Sequence, residues 1–451
     1  MDSEGIELIK ISQVINPEDV HRLREIIPEP HIPHQPFDWS PSAPYDGKLL
    51  RHVNVPLPPK VIITDLDQAA IKAQRRAGLI LSHYVNDVLN FKADKSMEYL
   101  QGRHTEMISA RTRGEELILT FANVSPNPFS VRIYTSDGKR VLSAFQLAAP
   151  SEMVKKNRQL TEANLMPSVS EQPGTPSSST LKGYKSHSMP DNFRLNYAQA
   201  TQRLLSLVPP ERYDSKKRHA GQDKNLQTSN YTVHRGWNGQ EERQGERCGT
   251  LHVIQGWCQT GHGGQYMSLS KSFTSNPQAY QAHDDWFQSS MQANVWLDAL
   301  FEHEYPEWHA HLSKAHKAAR WFQRDPGPHN GRVIIYHKHS SDHMDDGDLA
   351  PTAVCVVSGN YMGGFLDLLD IKTRLHYRPG AVVIGYFGRL WHVVTPHEDR
   401  PCTPSEDVVK HGLTPGRVAT VSYFPATSFA QLHDKPEGWA KKTNWGRSKT
   451  E

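Results

Sequence analysis

Residues 352–387 constrain the fold more than any other part of the sequence. They form a succession of short runs rich in β-branched and aromatic residues, separated by glycine and proline turns. The run at 352–358 is rich in β-branched residues, and the run at 381–387 is apolar enough for a buried strand. Between them, Arg378-Pro379-Gly380 indicates a turn. The segment therefore predicts a sheet of short strands joined by tight turns.

Candidate metal ligands flank this segment. His343 and Asp345 are two positions apart, and on an extended chain such residues point to the same side, where they can grip one ion. The interval from Asp345 to His392 holds about four or five short strands, so His392 can return on a neighbouring strand. Two imidazoles and one carboxylate are the ligand set of non-haem Fe(II) oxygenases. The triplet alone is weak evidence in a chain with 25 histidines, and a polar surface loop is its alternative interpretation.

The order of the features is more specific than the triplet. After the triplet come a strand, a Tyr-x-Gly-Gly strand, a Pro-Gly turn, an apolar strand, His392, and an arginine on a β-branched strand. This order resembles the double-stranded β-helix of 2-oxoglutarate and Fe(II)-dependent dioxygenases. Residues 359–368, 377–383 and 390–392 resemble, more narrowly, the TET/JBP family, which oxidises methyl groups on DNA bases. The resemblance covers residues 330 to 425, about a fifth of the chain.

The resemblance implies an α+β fold with a double-stranded β-helix (jelly-roll) catalytic core buttressed by helices. It implies that His343, Asp345 and His392 are the catalytic metal ligands, holding Fe(II). It also implies that Arg417 binds the cosubstrate 2-oxoglutarate, because a guanidinium pairs with a carboxylate through two parallel hydrogen bonds. Residues 396–415 form a polar insertion before Arg417, and Arg400 within this insertion is the competing choice.

The resemblance also implies a substrate, double-stranded DNA with methylated bases. The target base would leave the duplex and stack on Tyr423. Asp348 stands where the family has a base-reading asparagine, and Pro425 stands where it has a histidine. An ionised carboxylate only accepts hydrogen bonds, so Asp348 favours an exocyclic amine, as on cytosine N4 or adenine N6. Both 5-methylcytosine and N6-methyladenine stay open, and a turn-capping role is the alternative for Asp348.

Two other functions remain open on the same residues. A protein hydroxylase of this fold would use the same iron and cosubstrate ligands beside an open peptide groove. A non-catalytic DNA-binding β-helix protein would keep the three ligands only as a vestigial polar cluster. The intact ligand types and Tyr423 favour the DNA dioxygenase over both.

The composition of the chain mainly indicates its cellular compartment. The formal net charge is only +3, so any DNA-binding face must be local. The four cysteines are widely spaced, which favours a reducing compartment over a disulfide framework. The first residues lack a secretory signal and no run has the length of a membrane span, so we expect a soluble intracellular protein, and a nuclear one if DNA is its substrate. The basic run 216–219 is interpreted as a solvated loop or as a phosphate-contacting or nuclear-import patch.

Three regions are expected along the chain. Residues 1–150 predict an α/β segment of unnamed role, with helical spacing over 65–89 and strands at 117–121, 131–134 and 141–145. Residues 151–190 are predicted to be a linker or disordered insertion, because they contain a Ser/Pro-rich stretch. Residues 191–451 are predicted to form the dioxygenase domain. Within it, apolar positions over 277–321 predict two amphipathic helices, broken near Pro306, behind the sheet.

Overall fold

A computed structural model of the chain describes residue 72 and residues 87–112, 124–169, 184–208, 249–258, 267–336, 340–345, 347–349, 353–399 and 416–446. The fold is a mixture of helices and mainly antiparallel sheets, which confirms the predicted α+β class. The predictions for residues 117–121 and 216–219, for Arg400 and for most of 65–89 lie outside the described residues. No helix in the described ranges combines the length and the hydropathy of a membrane span.

The strands are named in chain order. They are β1 (Leu89–Lys92), β2 (Val131–Tyr134), β3 (Arg140–Phe145), β4 (Gly249–Ile254), β5 (Trp257–Cys258), β6 (Met267–Ser268), β7 (Gly331–Tyr336), β8 (Ser340–His343), β9 (Ala353–Gly363), β10 (Leu366–Leu368), β11 (Thr373–Leu375), β12 (Val382–Gly385), β13 (His392–Val394), β14 (His397–Asp399) and β15 (Gly416–Tyr423).

The helices are named in the same way. They are α1 (Met97–Thr112), α2 (Ser151–Glu162), α3 (Asp191–Leu207), α4 (Ala279–Ser289), α5 (Met291–Glu304), α6 (Pro306–Ala319), α7 (Ala426–Leu432) and α8 (Trp439–Lys442). A short 3-10 helix, Lys271–Thr274, precedes α4.

The largest sheet among the described residues has the strand order β1-β2-β3-β12-β9-β15-β7-β4. Strand β14 pairs with the last residues of β9, 361–363. The apolar run predicted at 381–387 forms β12, which lies between β3 and β9 and is buried along its length. Strands β1 to β3 come from the predicted N-terminal segment and continue the same sheet. Strands from both predicted regions, 1–150 and 191–451, therefore take part in one sheet, and the domain boundaries stay a prediction.

The start of the predicted linker is helical. Helix α2 begins at Ser151 and buries Val154 and Asn157. The Asn157 side chain donates to the Asn90 carbonyl at 2.9 Å and accepts from the Asn90 N–H at 2.8 Å, which fixes α2 to β1. The first residues of the predicted linker, 151–162, are therefore helical, and the Ser/Pro-rich composition begins only after this helix has ended; the linker itself stays a prediction.

Residues 279–319 form three helices behind the sheet, where the sequence predicted two over 277–321. The break at Pro306 is confirmed, because α5 ends at Glu304 and α6 starts with this proline in its first turn, where its missing N–H costs nothing. A second break falls at Ser290, whose hydroxyl donates to the Trp286 carbonyl and competes with the helix backbone. The buttressing role is confirmed by one core cluster that joins the helices to the outer face of the sheet through residues including Trp286, Trp296, Leu312, Ile334 and Val356.

A second sheet of four strands, in the order β11-β10-β13-β8, packs against the inner face of the large sheet. Leu366 and Leu368 of β10 share a buried cluster with Cys355 and Val357 of β9 and with Val383 of β12. The two sheets therefore enclose one apolar interior. Closure into a jelly roll stays a prediction.

Candidate metal centre

His343 and His392 face each other across two strands of the smaller sheet. His343 ends β8 and His392 begins β13, and the antiparallel register places the two residues directly opposite. Their ring centroids are 4.2 Å apart, with the ring planes tilted by 49°. The predicted return of the second histidine on a neighbouring strand is therefore found in the structure.

Asp345 lies in the turn that follows β8. Its N–H donates to the Phe387 carbonyl at 3.0 Å, and its own carbonyl accepts from the Asp348 N–H at 3.0 Å. These two bonds fix the turn on both sides. One carboxylate oxygen lies 3.8 Å from Nε2 of His343 and the other lies 3.7 Å from Nε2 of His392. The ligand atoms of the three residues all lie within 4.8 Å of one another.

A backbone carbonyl sets the orientation of the His392 ring. Nδ1 of His392 lies 2.9 Å from the Leu390 oxygen, and since a carbonyl only accepts, Nδ1 carries the proton. Nε2, which faces Asp345, is therefore the nitrogen that can bind a cation when the ring is neutral. The edge of Phe387 packs against the ring at 4.8 Å. Such outer contacts of a metal-binding histidine fix its tautomer and its angle.

The donor set fits a divalent transition metal. Two imidazole nitrogens and one carboxylate suit Fe(II) and leave coordination positions for other ligands. The site is also open on one side, because 28% of the Asp345 side chain is exposed while His392 is buried. The structure thus brings together all three predicted metal ligands and leaves one side of the site open to a further, exchangeable ligand of the metal.

Arg417 is buried on the inner face of the large sheet. It lies on β15 opposite Gly359 of β9 and is only 2% exposed. Its guanidinium lies 5.2 Å from the ring centre of Tyr377 and 5.9 Å from that of Tyr361. The Tyr361 hydroxyl donates to the Tyr377 carbonyl at 2.6 Å, which holds the two rings around the cation.

Cys355 lies on the inner face of the large sheet, in the same buried cluster as Leu366 of β10 and Val383 of β12. Burial raises the pKa of its thiol, and the carboxylates of Asp345 and Asp348 raise it further, while Tyr377 and Arg417 lower it. The thiol therefore favours its neutral form.

Asp348 and Tyr423 lie near each other at the end of β15. Asp348 forms a backbone bridge with Pro425, and the following residue, Leu349, donates to the Phe424 carbonyl at 2.8 Å. Tyr423 is half-buried, and its ring covers the α-carbon of Gly331 on β7, where a β-carbon would lie 3.2 Å from the ring. The turn after the metal triplet is thus attached to the strand end that carries Tyr423.

Comparisons with known proteins concern the fold. No family model and no curated protein matches the sequence. The chain is similar in structure to NgTET1. That structure, NgTET1 in complex with 5mC DNA, matches over 79% of this chain and 100% of its own, with 12% sequence identity and a TM-score of 0.31. The structure of OsALKBH1 matches over 29% of this chain and 63% of its own, with 13% identity and a TM-score of 0.21.

Sequence reasoning missed Tyr361, Tyr377 and Cys355. Tyr361 belongs to the Tyr-x-Gly-Gly strand, and Tyr377 directly precedes the Arg378-Pro379-Gly380 turn. A buried tyrosine hydroxyl needs a polar partner, so a tyrosine beside a predicted buried strand is the signal for polar groups in the interior. Burial raises the pKa of Tyr361 to about 12, so its hydroxyl stays protonated.

Proposed function

We propose that the protein is an Fe(II) and 2-oxoglutarate-dependent dioxygenase that oxidises methyl groups on DNA bases. The observation that carries this proposal is the meeting of His343, Asp345 and His392 at adjacent strand ends, with one side open. A closed structural metal site has a full set of protein ligands, whereas three ligands beside an opening suit exchangeable ligands.

The three ligands would hold Fe(II), which when bound supplies oxygen activation coupled to oxidative decarboxylation of the cosubstrate. The protein's own part is to fix the ligand geometry. Leu390 and Phe387 orient His392, and the backbone bonds of Asp345 keep its carboxylate between the imidazoles. The interior formed by the two sheets excludes water from the side of the site opposite its opening.

Arg417 would bind the distal carboxylate of 2-oxoglutarate. Arg417 is 2% exposed, and a planar guanidinium can pair with a carboxylate through two parallel hydrogen bonds. Arg417 lies on the inner face of β15, and the smaller sheet, which carries His343 and His392, packs against that face. This placement is consistent with one dicarboxylate reaching from the metal site to Arg417. Tyr361 and Tyr377 keep the guanidinium in place from the sides.

Asp348 and Tyr423 would contact the base. A flipped base needs an aromatic face and edge-reading polar groups, and these two residues offer both where the metal turn meets the end of β15. The turn that carries Asp348 is closed by the backbone N–H of that residue. An acceptor at this position suits an exocyclic amine, so the proposed substrates are 5-methylcytosine and N6-methyladenine in duplex DNA. A nuclear location follows from this substrate and is part of the proposal.

Incubation with defined DNA tests the proposal. Duplexes carrying 5-methylcytosine or N6-methyladenine would be incubated with protein, Fe(II) and 2-oxoglutarate, and nucleosides and succinate measured by mass spectrometry. We expect an oxidised or demethylated base together with succinate, and neither product in the His343→Ala variant. Succinate that forms only with peptide substrates would favour a protein hydroxylase. DNA binding without succinate from any substrate would favour a non-catalytic protein.

A further inference from the structure

The residues next to the metal ligands form a small apolar cluster. Met344 lies between His343 and Asp345, and Trp391 precedes His392. Both are buried, and they form a core cluster with Leu369, separate from the two large clusters. Because neighbouring residues on an extended chain point to opposite sides, this cluster lies on the side of the strands away from the ligands.

A single turn after β10 holds both peptide groups of Trp391. The Leu369 N–H donates to the Trp391 carbonyl at 2.8 Å, and the Trp391 N–H donates to Oδ2 of Asp370 at 2.9 Å. His392, the next residue, then pairs with Leu368 at the end of β10. Asp370 therefore continues the pairing beyond the last residue of β10, at the point where β13 begins.

The Asp370 carboxylate has a cation from a distant part of the chain. Its side chain is only 2% exposed, and Nε of Arg103 lies 3.7 Å from Oδ1. Arg103 is on α1, in the region that the sequence predicted to be a segment of unnamed role. A buried carboxylate without a cation is strongly destabilising, so the position of α1 is coupled to this turn.

We propose that Asp370 is a positioning residue for the metal centre, acting through the Trp391 peptide on His392, and that Arg103 supports it from α1. The inference rests on the proposed metal site. The N-terminal region thereby contributes to metal binding without a ligand of its own. The loss of a contact that orients a metal ligand typically weakens metal affinity 10- to 100-fold.

Asp367 provides a matched control. It lies on β10, is buried, and has a closer arginine partner than Asp370, with oxygen to nitrogen distances of 2.6 Å to Arg374. Its side chain does not hold the Trp391 N–H, which is bonded to Asp370. A general loss of stability from removing a buried ion pair should therefore appear in Asp367→Ala as well.

The experiment measures binding of Mn(II), as an air-stable substitute for Fe(II), to metal-free full-length protein by electron paramagnetic resonance. Thermal denaturation confirms that each variant is folded at the temperature used. We expect the dissociation constant to rise about 10-fold or more in Asp370→Ala. Asp370→Asn keeps an acceptor for the Trp391 N–H and should restore most of the affinity. Arg103→Met should weaken binding less than Asp370→Ala, because the hydrogen bond remains.

The possible outcomes distinguish a failure of the proposed metal site from a failure of the role proposed for Asp370. No Mn(II) binding by the wild-type protein would contradict the proposed metal site, and this inference with it. Wild-type binding that Asp370→Ala leaves unchanged would overturn the inference alone. Equal weakening in Asp367→Ala and Asp370→Ala would also overturn it, since the effect would then come from the stability of the sheet.

Discussion

His392 lies directly opposite His343 on the adjacent antiparallel strand, and their ring centroids are 4.2 Å apart. Strand pairing therefore sets the separation of the two imidazoles. The carboxylate of Asp345 is added from the turn that follows, at 3.8 and 3.7 Å from the two Nε2 atoms. Strand pairing and the turn together therefore set the relative positions of the three side chains.

The first prediction concerns the three ligands. His343→Ala, Asp345→Ala and His392→Ala should each abolish turnover and weaken metal binding, while circular dichroism and the melting temperature stay near wild type. The reason is that the ligands line an opening and do not close a structural site. Calorimetric titration with Mn(II) measures the binding. Wild-type affinity and activity in any one variant would remove that residue from the site.

The second prediction concerns Gly388, which packs against the metal turn. A β-carbon at Gly388 would lie 3.0 Å from the Asp345 carbonyl oxygen, closer than such contacts normally allow. Gly388→Ala should therefore displace the turn and raise the dissociation constant for Mn(II) several-fold. Gly347→Ala is the matched control, because a β-carbon there meets nothing within 4 Å. Equal affinity in the two variants would show that the turn tolerates the displacement.

The third prediction concerns the cosubstrate. Arg417→Ala should raise the KM for 2-oxoglutarate by at least 100-fold. The reason is that the distal carboxylate of the cosubstrate would be buried without a cation, which costs about 3 to 5 kcal/mol. Arg417→Lys should recover only part of the loss, since an ammonium cannot make two parallel bonds. Steady-state assays of succinate release measure both. If Arg400→Ala raises the KM and Arg417→Ala does not, the cosubstrate assignment belongs to Arg400.

The fourth prediction concerns base recognition. Asp348→Asn should lower kcat/KM less than Asp348→Ala does, because the amide oxygen still accepts a hydrogen bond from the base. The two variants should differ by about 1 to 3 kcal/mol in transition-state stabilisation. Tyr423→Ala should lose a further ~1 to 3 kcal/mol of stacking, which Tyr423→Phe mostly restores. Competition between duplexes with 5-methylcytosine and N6-methyladenine measures the effect. Lower melting temperatures with unchanged base preference would assign Asp348 to the turn alone.

The fifth prediction concerns stability against pH. Burial lowers the pKa of His283 from 6.5 to about 4, and its ring packs against Phe273 at 4.2 Å. The folded state therefore favours the neutral ring. The neutral His283 ring contributes its full share to the free energy of unfolding above pH 6.5. This share is lost as the pH falls towards 4, by about 3 kcal/mol in total.

Urea unfolding at several pH values measures this contribution. His283→Phe keeps a ring in the core but does not titrate, so its free energy of unfolding should fall less between pH 7 and pH 4. His433→Phe, at the exposed position that directly follows α7, is the control for the substitution itself. Parallel slopes for His283→Phe and the wild type would contradict the assignment.

The local elements of residues 306–387 were predictable from the sequence. The β-branched run at 352–358 forms part of β9, the run at 381–387 contains β12, and Pro306 begins a helix. These features depend on short-range preferences: β-branched side chains favour extended backbone, and proline fixes its own φ and lacks a donor. The candidate metal ligands were predicted from their residue types, from the local spacing of His343 and Asp345, and from the order of motifs that leads to His392.

The sequence itself did not determine how distant segments meet. Arg103 lies beside Asp370, Tyr361 and Tyr377 lie on either side of Arg417, and β3 joins β12 so that the N-terminal strands extend the large sheet. Such contacts depend on strand order and register across long separations, which no periodicity encodes. The sequence therefore determined which residues can bind a metal, and tertiary structure decided which residues hold them in place.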